Sequence, residues 1–152
     1  MIWSEDMKIY QATTNDIEQV AYLFNLYRQF YHQPSNIDGA VSYIRERLEQ
    51  KDSTIFIAEM EGSYVGFVQL YPTFSSIAMQ KALILNDLFV LEEARKMGIG
   101  DILLASAKEH ALREGVTRLS LSTAIHNHAA QALYNKHGYE RDQDFYHYQL
   151  TI

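Results

Sequence analysis

The sequence predicts a mixed α/β fold, a central sheet with helices on both faces. Three observations predict it. Residues 82–91 read as an almost continuous apolar run, the pattern of a central strand covered on both sides. Residues 98–114 carry Ile99, Ile102, Leu103, Ala107 and Ala111 along one helical side. A short alternating run follows at 118–122, so strand, helix and strand make a right-handed parallel crossover.

The elements follow in order. Residues 7–12 read as a first strand. Thr13, Thr14, Asn15 and Asp16 offer N-cap residues for a helix running to about His32. Its apolar positions Ile17, Val20, Ala21, Phe24, Tyr27 and Tyr31 sit close to helical period. Residues 33–36 are a loop, and a second helix fits 37 to about 50. Residues 54–60 and 64–74 read as an antiparallel hairpin around Glu61 and Gly62. Gly115 is placed to stop the 98–114 helix as a C′ residue. A further helix spans 128–137, with Asn127 as N-cap and Gly138 as stop. A final strand is expected over about 145–151. The order is β-αα-βββ-α-β-α-β, and 152 residues without repeat or linker predict a single domain over 1–152.

Composition narrows the function. The net charge of −6 makes a poor grip on phosphate backbones, so no nucleic-acid partner is expected. The same field weakly favours cationic small molecules such as amines. Absence of cysteine excludes disulfides, cysteine-ligated zinc and a cysteinyl covalent intermediate, and is compatible with the cytoplasm. Residues 1–6 lack the basic-then-apolar pattern of a leader, and no run approaches the roughly 20 apolar residues of a membrane span, so a soluble protein is expected. His126 and His128 form an H-x-H pair with no evident third ligand, and no metal is expected.

The segment Arg95, Lys96, Met97, Gly98, Ile99, Gly100 lies between the apolar strand and the helix. Ligands of α/β folds sit there, outside the carboxyl end of a strand. Free N–H groups and the helix dipole bind anions, and glycines let an anion approach the backbone. Cations at a helix N-terminus oppose its dipole by roughly 0.3–1 kcal/mol each, so Arg95 and Lys96 make better sense with an anion between. The alternative is a plain glycine-rich turn with exposed basic residues. The dinucleotide pattern fails at Leu103, and the Gly-Lys-Ser/Thr ending of a P-loop is absent.

The pattern R-x-x-G-x-G after a hydrophobic strand resembles the acetyl-CoA motif of the GNAT superfamily. Asn127, Ala130, Leu133, Tyr134, Lys136, Gly138 and Tyr139 resemble that family's second cofactor motif. Residues 70–76, including Tyr71, and the stretch Asn86, Asp87, Leu88, Phe89, Val90 resemble the histone/polyamine and diamine/spermidine acetyltransferase-like group. The resemblance implies an acetyl-CoA-dependent N-acetyltransferase. Backbone groups of Leu88, Phe89 and Val90 would line the pantetheine and acetyl group. The turn from Lys96 through Met97, Gly98 and Ile99 to Gly100 would hold the pyrophosphate, beside Arg95. Asn127 would contact the pantetheine arm, Tyr134 would lie near the thioester sulfur, and Lys136 belongs to the same motif. Relatives often dimerise, so a homodimer is expected, with alternating residues 144–150 as a candidate edge.

The implied chemistry is attack of a neutral amine on a thioester by direct transfer in a ternary complex. A backbone N–H near Leu88 can polarise the carbonyl. Tyr134 can protonate the leaving thiolate, or be a buried tyrosine with a satisfied hydroxyl. The resemblance implies a glutamate just before the position of Asp87, as polyamine-type relatives often carry. Here it is Asn86, whose neutral amide cannot be a base. Asp87 is the next proton acceptor, although strand alternation places it on the opposite face. The pair can equally be a bulge with satisfied polar groups. Tyr27 and Tyr31, at i and i+4, can cradle an amine or simply pack in the core. The acceptor is read as a primary amine: a small amine, a polyamine or lysine-like. Alternatives are an aminoglycoside or peptide N-terminal acetyltransferase, and a non-catalytic acyl-CoA sensor.

Overall fold

A computed structural model describes residues 7–152; residues 1–6, read above as free of a leader, lie outside the described residues. The described chain forms two compact units, 7–122 and 123–152.

The first unit holds strand β1 (Met7–Gln11), helices α1 (Ile17–Phe30) and α2 (Ile37–Gln50), strands β2 (Thr54–Met60), β3 (Ser63–Ser75) and β4 (Gln80–Val90), helix α3 (Ile99–Arg113) and the short strand β5 (Leu119–Ser120). The sheet runs β1-β2-β3-β4-β5. The first three pairings are antiparallel, and β4 and β5 are parallel, as the crossover requires.

Local chemistry sets most boundaries. Thr13 and Asp16 form a reciprocal capping box around a short 3-10 turn that leads into α1. Asn36 caps α2 by accepting from the Gly39 N–H at 2.9 Å. Glu61 and Gly62 both have positive φ, at 50° and 81°, so a two-residue turn joins Met60 to its partner Ser63. Gly115 adopts φ 70° past the end of α3, as expected of a helix-stopping glycine.

Alternation puts helices on both faces. Ile55, Ile57, Phe67 and Phe89 join Val20, Leu23, Ile44 and Leu48 of α1 and α2 in one buried cluster. Phe56, the odd neighbour on β2, turns the other way and meets the His110 ring of α3 at 5.6 Å. Fully burying one such apolar side chain contributes about 1.5–3 kcal/mol.

The second unit holds helix α4 (His128–Lys136). Asn127 caps it by accepting from the Ala130 N–H at 3.1 Å. Gly138 follows at φ 87°. The expected strand at 145–151 is not formed: residues 139–152 are neither helix nor strand. A strand exists only through its ladder partner, and this unit contains no other strand. Strand β5 is likewise shorter than the run 118–122 suggests.

Candidate active site

The turn after β4 has the features of an anion site. A single 3-10 turn at 92–94 ends on Arg95, and Lys96 takes a left-handed φ of 63°. Gly98 is the N-cap of α3, also left-handed at φ 81°, with no side-chain cap on the helix. The first N–H groups of α3 have no carbonyl behind them in the helix, and no cap takes one up. These N–H groups and the helix dipole give the start of α3 the backbone character of an anion site. Met97 is exposed and Ile99 is buried beneath the turn.

Arg95 does something the sequence did not suggest. Its Nε donates to the Val90 carbonyl at 3.0 Å. Its guanidinium lies 5.4 Å from the Phe30 ring centre and 5.9 Å from that of Phe89. It acts as a strut from the turn back to β4 and α1. One carbonyl of the 88–90 stretch is thus already engaged.

The β4 stretch is distorted next door. Gln69 pairs with Asp87 and Leu70 with Leu85, so Asn86 has no partner and bulges. The bulge overturns the expectation that alternation separates residues 86 and 87. Asn86 is exposed, yet its Nδ2 donates to Asp87 Oδ1 at 3.1 Å. Asp87 turns inward, 4% exposed, on the face that carries Phe89. Gln69 Nε2 donates to its Oδ2 at 2.7 Å, and Ser53 Oγ donates to Gln69 Oε1 at 3.0 Å. Burial pushes the Asp87 carboxyl above the usual carboxylate range, while hydrogen bonds from Gln69, Asn86 and Tyr27 pull it back.

Tyr27 and Tyr31 do meet, with ring centres 5.1 Å apart at 65°. Tyr27 also packs edge-on against Phe67 and Phe89, so core packing and proximity to the bulge coexist. Its hydroxyl reaches within 3.5 Å of the Asn86 carbonyl oxygen. Tyr71 shares a 2.7 Å hydroxyl contact with Tyr43 of α2. Burial pushes the Tyr71 hydroxyl up, helped by the Tyr43 bond and the Asp87 charge. Tyr27, Asp87 and Tyr71 therefore belong to one polar patch under α1 and α2.

In the second unit, Asn127 caps α4, and Tyr134 and Lys136 lie in that helix. The Tyr134 ring sits 5.8 Å from Tyr139, whose N–H donates to the Tyr134 carbonyl at 3.0 Å. Among the described residues, no three His, Asp or Glu side chains are placed to hold a metal. Nor is any helix there long and apolar enough to cross a membrane.

Sequence reasoning missed Gln69, Ser53, Tyr43 and Gly66. A polar residue inside the apolar run Val65–Leu70 was a usable signal for Gln69. Gly66 was one too, since glycine inside a strand marks close backbone approach.

Residues 20–139 match the acetyltransferase (GNAT) family. The chain is 49% identical over 146 residues to the uncharacterized N-acetyltransferase YhfO of Bacillus subtilis (strain 168), covering 96% of this chain and 98% of that one. A crystal structure of a probable acetyltransferase superposes with a TM-score of 0.90 at 38% identity, over 95% of this chain and 97% of that one. The aminoglycoside N-acetyltransferase AAC(6')-Iy, in complex with CoA, shares the fold with a TM-score of 0.81 at 19% identity, over 100% of this chain and 99% of that one.

Proposed function

This chain belongs to the GNAT acetyltransferase family, and we propose that it moves an acetyl group from acetyl-CoA to a primary amine by direct transfer in a ternary complex. It is an N-acetyltransferase with acetyl-CoA as co-substrate. The acceptor we propose is a small amine, a polyamine or a lysine-like amino group.

The observation that carries the reading is the uncapped start of α3, flanked by left-handed Lys96 and Gly98. That backbone fits a pyrophosphate, held by N–H groups of Lys96, Met97, Gly98, Ile99 and Gly100. The Arg95 strut ties this turn to Val90 and Phe89, in the stretch proposed to line the pantetheine. Resemblance of the 127–139 segment supports Asn127 and Lys136 as further cofactor residues.

Acetyl-CoA supplies an activated acyl thioester; the remaining tasks fall to the chain. A β4 backbone N–H near Leu88 donates to the thioester oxygen. Asp87 attracts the cationic amine and accepts its proton, directly or through a water. Its burial and its hydrogen bond from Tyr27 support that role. An amine of pKa about 10 must lose a proton before attack, so a carboxyl raised by burial is a better acceptor than an exposed one. Asn86 handles no proton; the bulge it forms brings its amide to Asp87. Tyr27, Tyr31 and Tyr71 form the aromatic and hydroxyl lining for the amine. Tyr134 protonates the leaving thiolate, a role resting on its motif position.

We also read the chain as one cytoplasmic domain that forms a homodimer. The family match runs from residue 20 to 139, across both units. The cysteine-free composition fits a reducing compartment.

Thermal shift with acetyl-CoA and CoA, then thiol release on diamines, polyamines, lysine and aminoglycosides, tests the reading. Saturation to about 100 times Kd should stabilise by about 2.7 kcal/mol. Tyr134→Phe should lower kcat by roughly 10²–10⁴ while acetyl-CoA affinity holds. Stabilisation without turnover on any amine points to a sensor, and full turnover by Tyr134→Phe removes Tyr134 from the chemistry.

A further inference from the structure

Asp87 is almost wholly inside the protein, and so is the group that holds it. Gln69 is 0% exposed and Asp87 is 4% exposed, both on central strands of the sheet. An ionised carboxylate in such a place needs donors, because lost hydration costs several kcal/mol. Its neighbours across the patch are hydroxyls: Tyr27 from α1 and Tyr71 from β3, the latter joined to Tyr43 of α2. The cation on that side, Arg47, lies 4.8 Å over the Tyr43 ring and is engaged by Asp52 at 2.8 Å and Glu46 at 3.1 Å. The amide donors Gln69 and Asn86 therefore carry much of the burden, one on each carboxylate oxygen.

The Gln69 amide has one donor end and one acceptor end. Its Nε2 is set against Asp87 Oδ2 and its Oε1 against Ser53 Oγ. Turned over, it would set Oε1 against a carboxylate oxygen, two acceptors in contact. The Ser53 hydroxyl can donate or accept, so it tolerates either orientation and anchors the amide in both. The Asp87 charge therefore selects the orientation, and the selected orientation in turn favours the charge.

We propose that Gln69, anchored by Ser53, is a positioning residue that holds Asp87 as an ionised carboxylate on the acceptor side of the β4 bulge. Its catalytic consequence rests on the reading of Asp87 as the proton acceptor. Loss of Gln69 leaves a buried carboxylate with one donor fewer, so Asp87 keeps its proton to higher pH and is ionised to accept the amine's only above that shifted titration.

The test measures Asp87 itself and then the rate. The Asp87 carboxyl is titrated by carbon-13 NMR, and kcat/KM is followed against pH, in the full-length protein and in Gln69→Met, Ser53→Ala and Asp87→Asn. Gln69→Met, close in volume, should raise the Asp87 titration by about one unit, the worth of one hydrogen bond to a charged group. Ser53→Ala should move it the same way by less, and carries the test if Gln69→Met does not fold. The acid limb of kcat/KM should follow in both, and should vanish in Asp87→Asn. An unchanged Asp87 titration in the folded variants overturns the proposal. A titration that moves while the acid limb stays still upholds Gln69 as the holder of the carboxylate and removes Asp87 from the proton's path.

Discussion

Replacing Gly66 by alanine adds one methyl where β3 runs against the backbone of β4. Gly66 pairs with Val90, and a Cβ there would sit 2.8 Å from the Phe89 carbonyl oxygen. It would also meet Leu103 Cδ1 at 3.3 Å and Val90 Cγ2 at 3.4 Å. The first neighbour is backbone of a central strand and cannot swing aside as a flexible side chain could. Overpacking of this kind costs about 1–3 kcal/mol. At about 2–4 °C per kcal/mol for a chain this long, the melting temperature should fall by about 2–12 °C. The shift also pushes on residues 89 and 90, so acetyl-CoA should bind several-fold more weakly. Gly62→Ala is the control. It has nothing within 4 Å but sits at φ 81°, so its cost of about 1 kcal/mol is one of backbone strain. It should leave acetyl-CoA affinity alone. Thermal melts and calorimetric titration read both effects. A Gly66→Ala protein that melts within 1 °C of the parent (about 0.3–0.5 kcal/mol) and binds acetyl-CoA equally would refute the steric argument.

Two other outcomes follow from the geometry. Burial of His110 in α3 depresses its pKa below the ordinary imidazole value of 6.5. On acidification the unfolded chain then binds that proton first, so stability present above pH 6.5 is lost as pH falls toward the folded value. His110→Leu should flatten the slope of melting temperature between about pH 7 and 5.5; an unaltered slope excludes His110 as its source. Arg95→Ala removes the Val90 bond and the Phe30 and Phe89 contacts, together roughly 1–2 kcal/mol. KM for acetyl-CoA should rise about tenfold with kcat less affected. Arg95→Lys should not restore it, since an ammonium cannot bond and stack in that fork geometry. Equal KM values for Arg95→Lys and the parent would show that only charge matters there.

The local conformation of the two segments proposed to bind the cofactor was legible because it is set within a few residues. The turn needs left-handed residues at 96 and 98, and one of them is glycine. Asn127 heads its helix because a short amide side chain caps best there. The acceptor side was less legible. Tyr27 carried two readings from its helical position; its ring packs on Phe67, as the core reading expects, and its hydroxyl reaches the bulge, where the amine-cradling role remains a proposal. Arg95 was read as an anion ligand from its charge and its place in the R-x-x-G-x-G pattern, and the Val90 bond that makes it a strut joins residues on either side of a turn.

Helices, their caps, the β2–β3 turn and the glycine-containing turn after β4 can be read from the sequence alone, because periodicity, side-chain caps and positive φ act within a few residues. The surroundings of Asp87 emerge only from the folded sheet. The register between β3 and β4 slips by one residue at Gln69, and that slip exposes Asn86 and buries Asp87 against Gln69. A one-residue slip turns side chains to the other face of the sheet, and it becomes visible only when the two strands are paired.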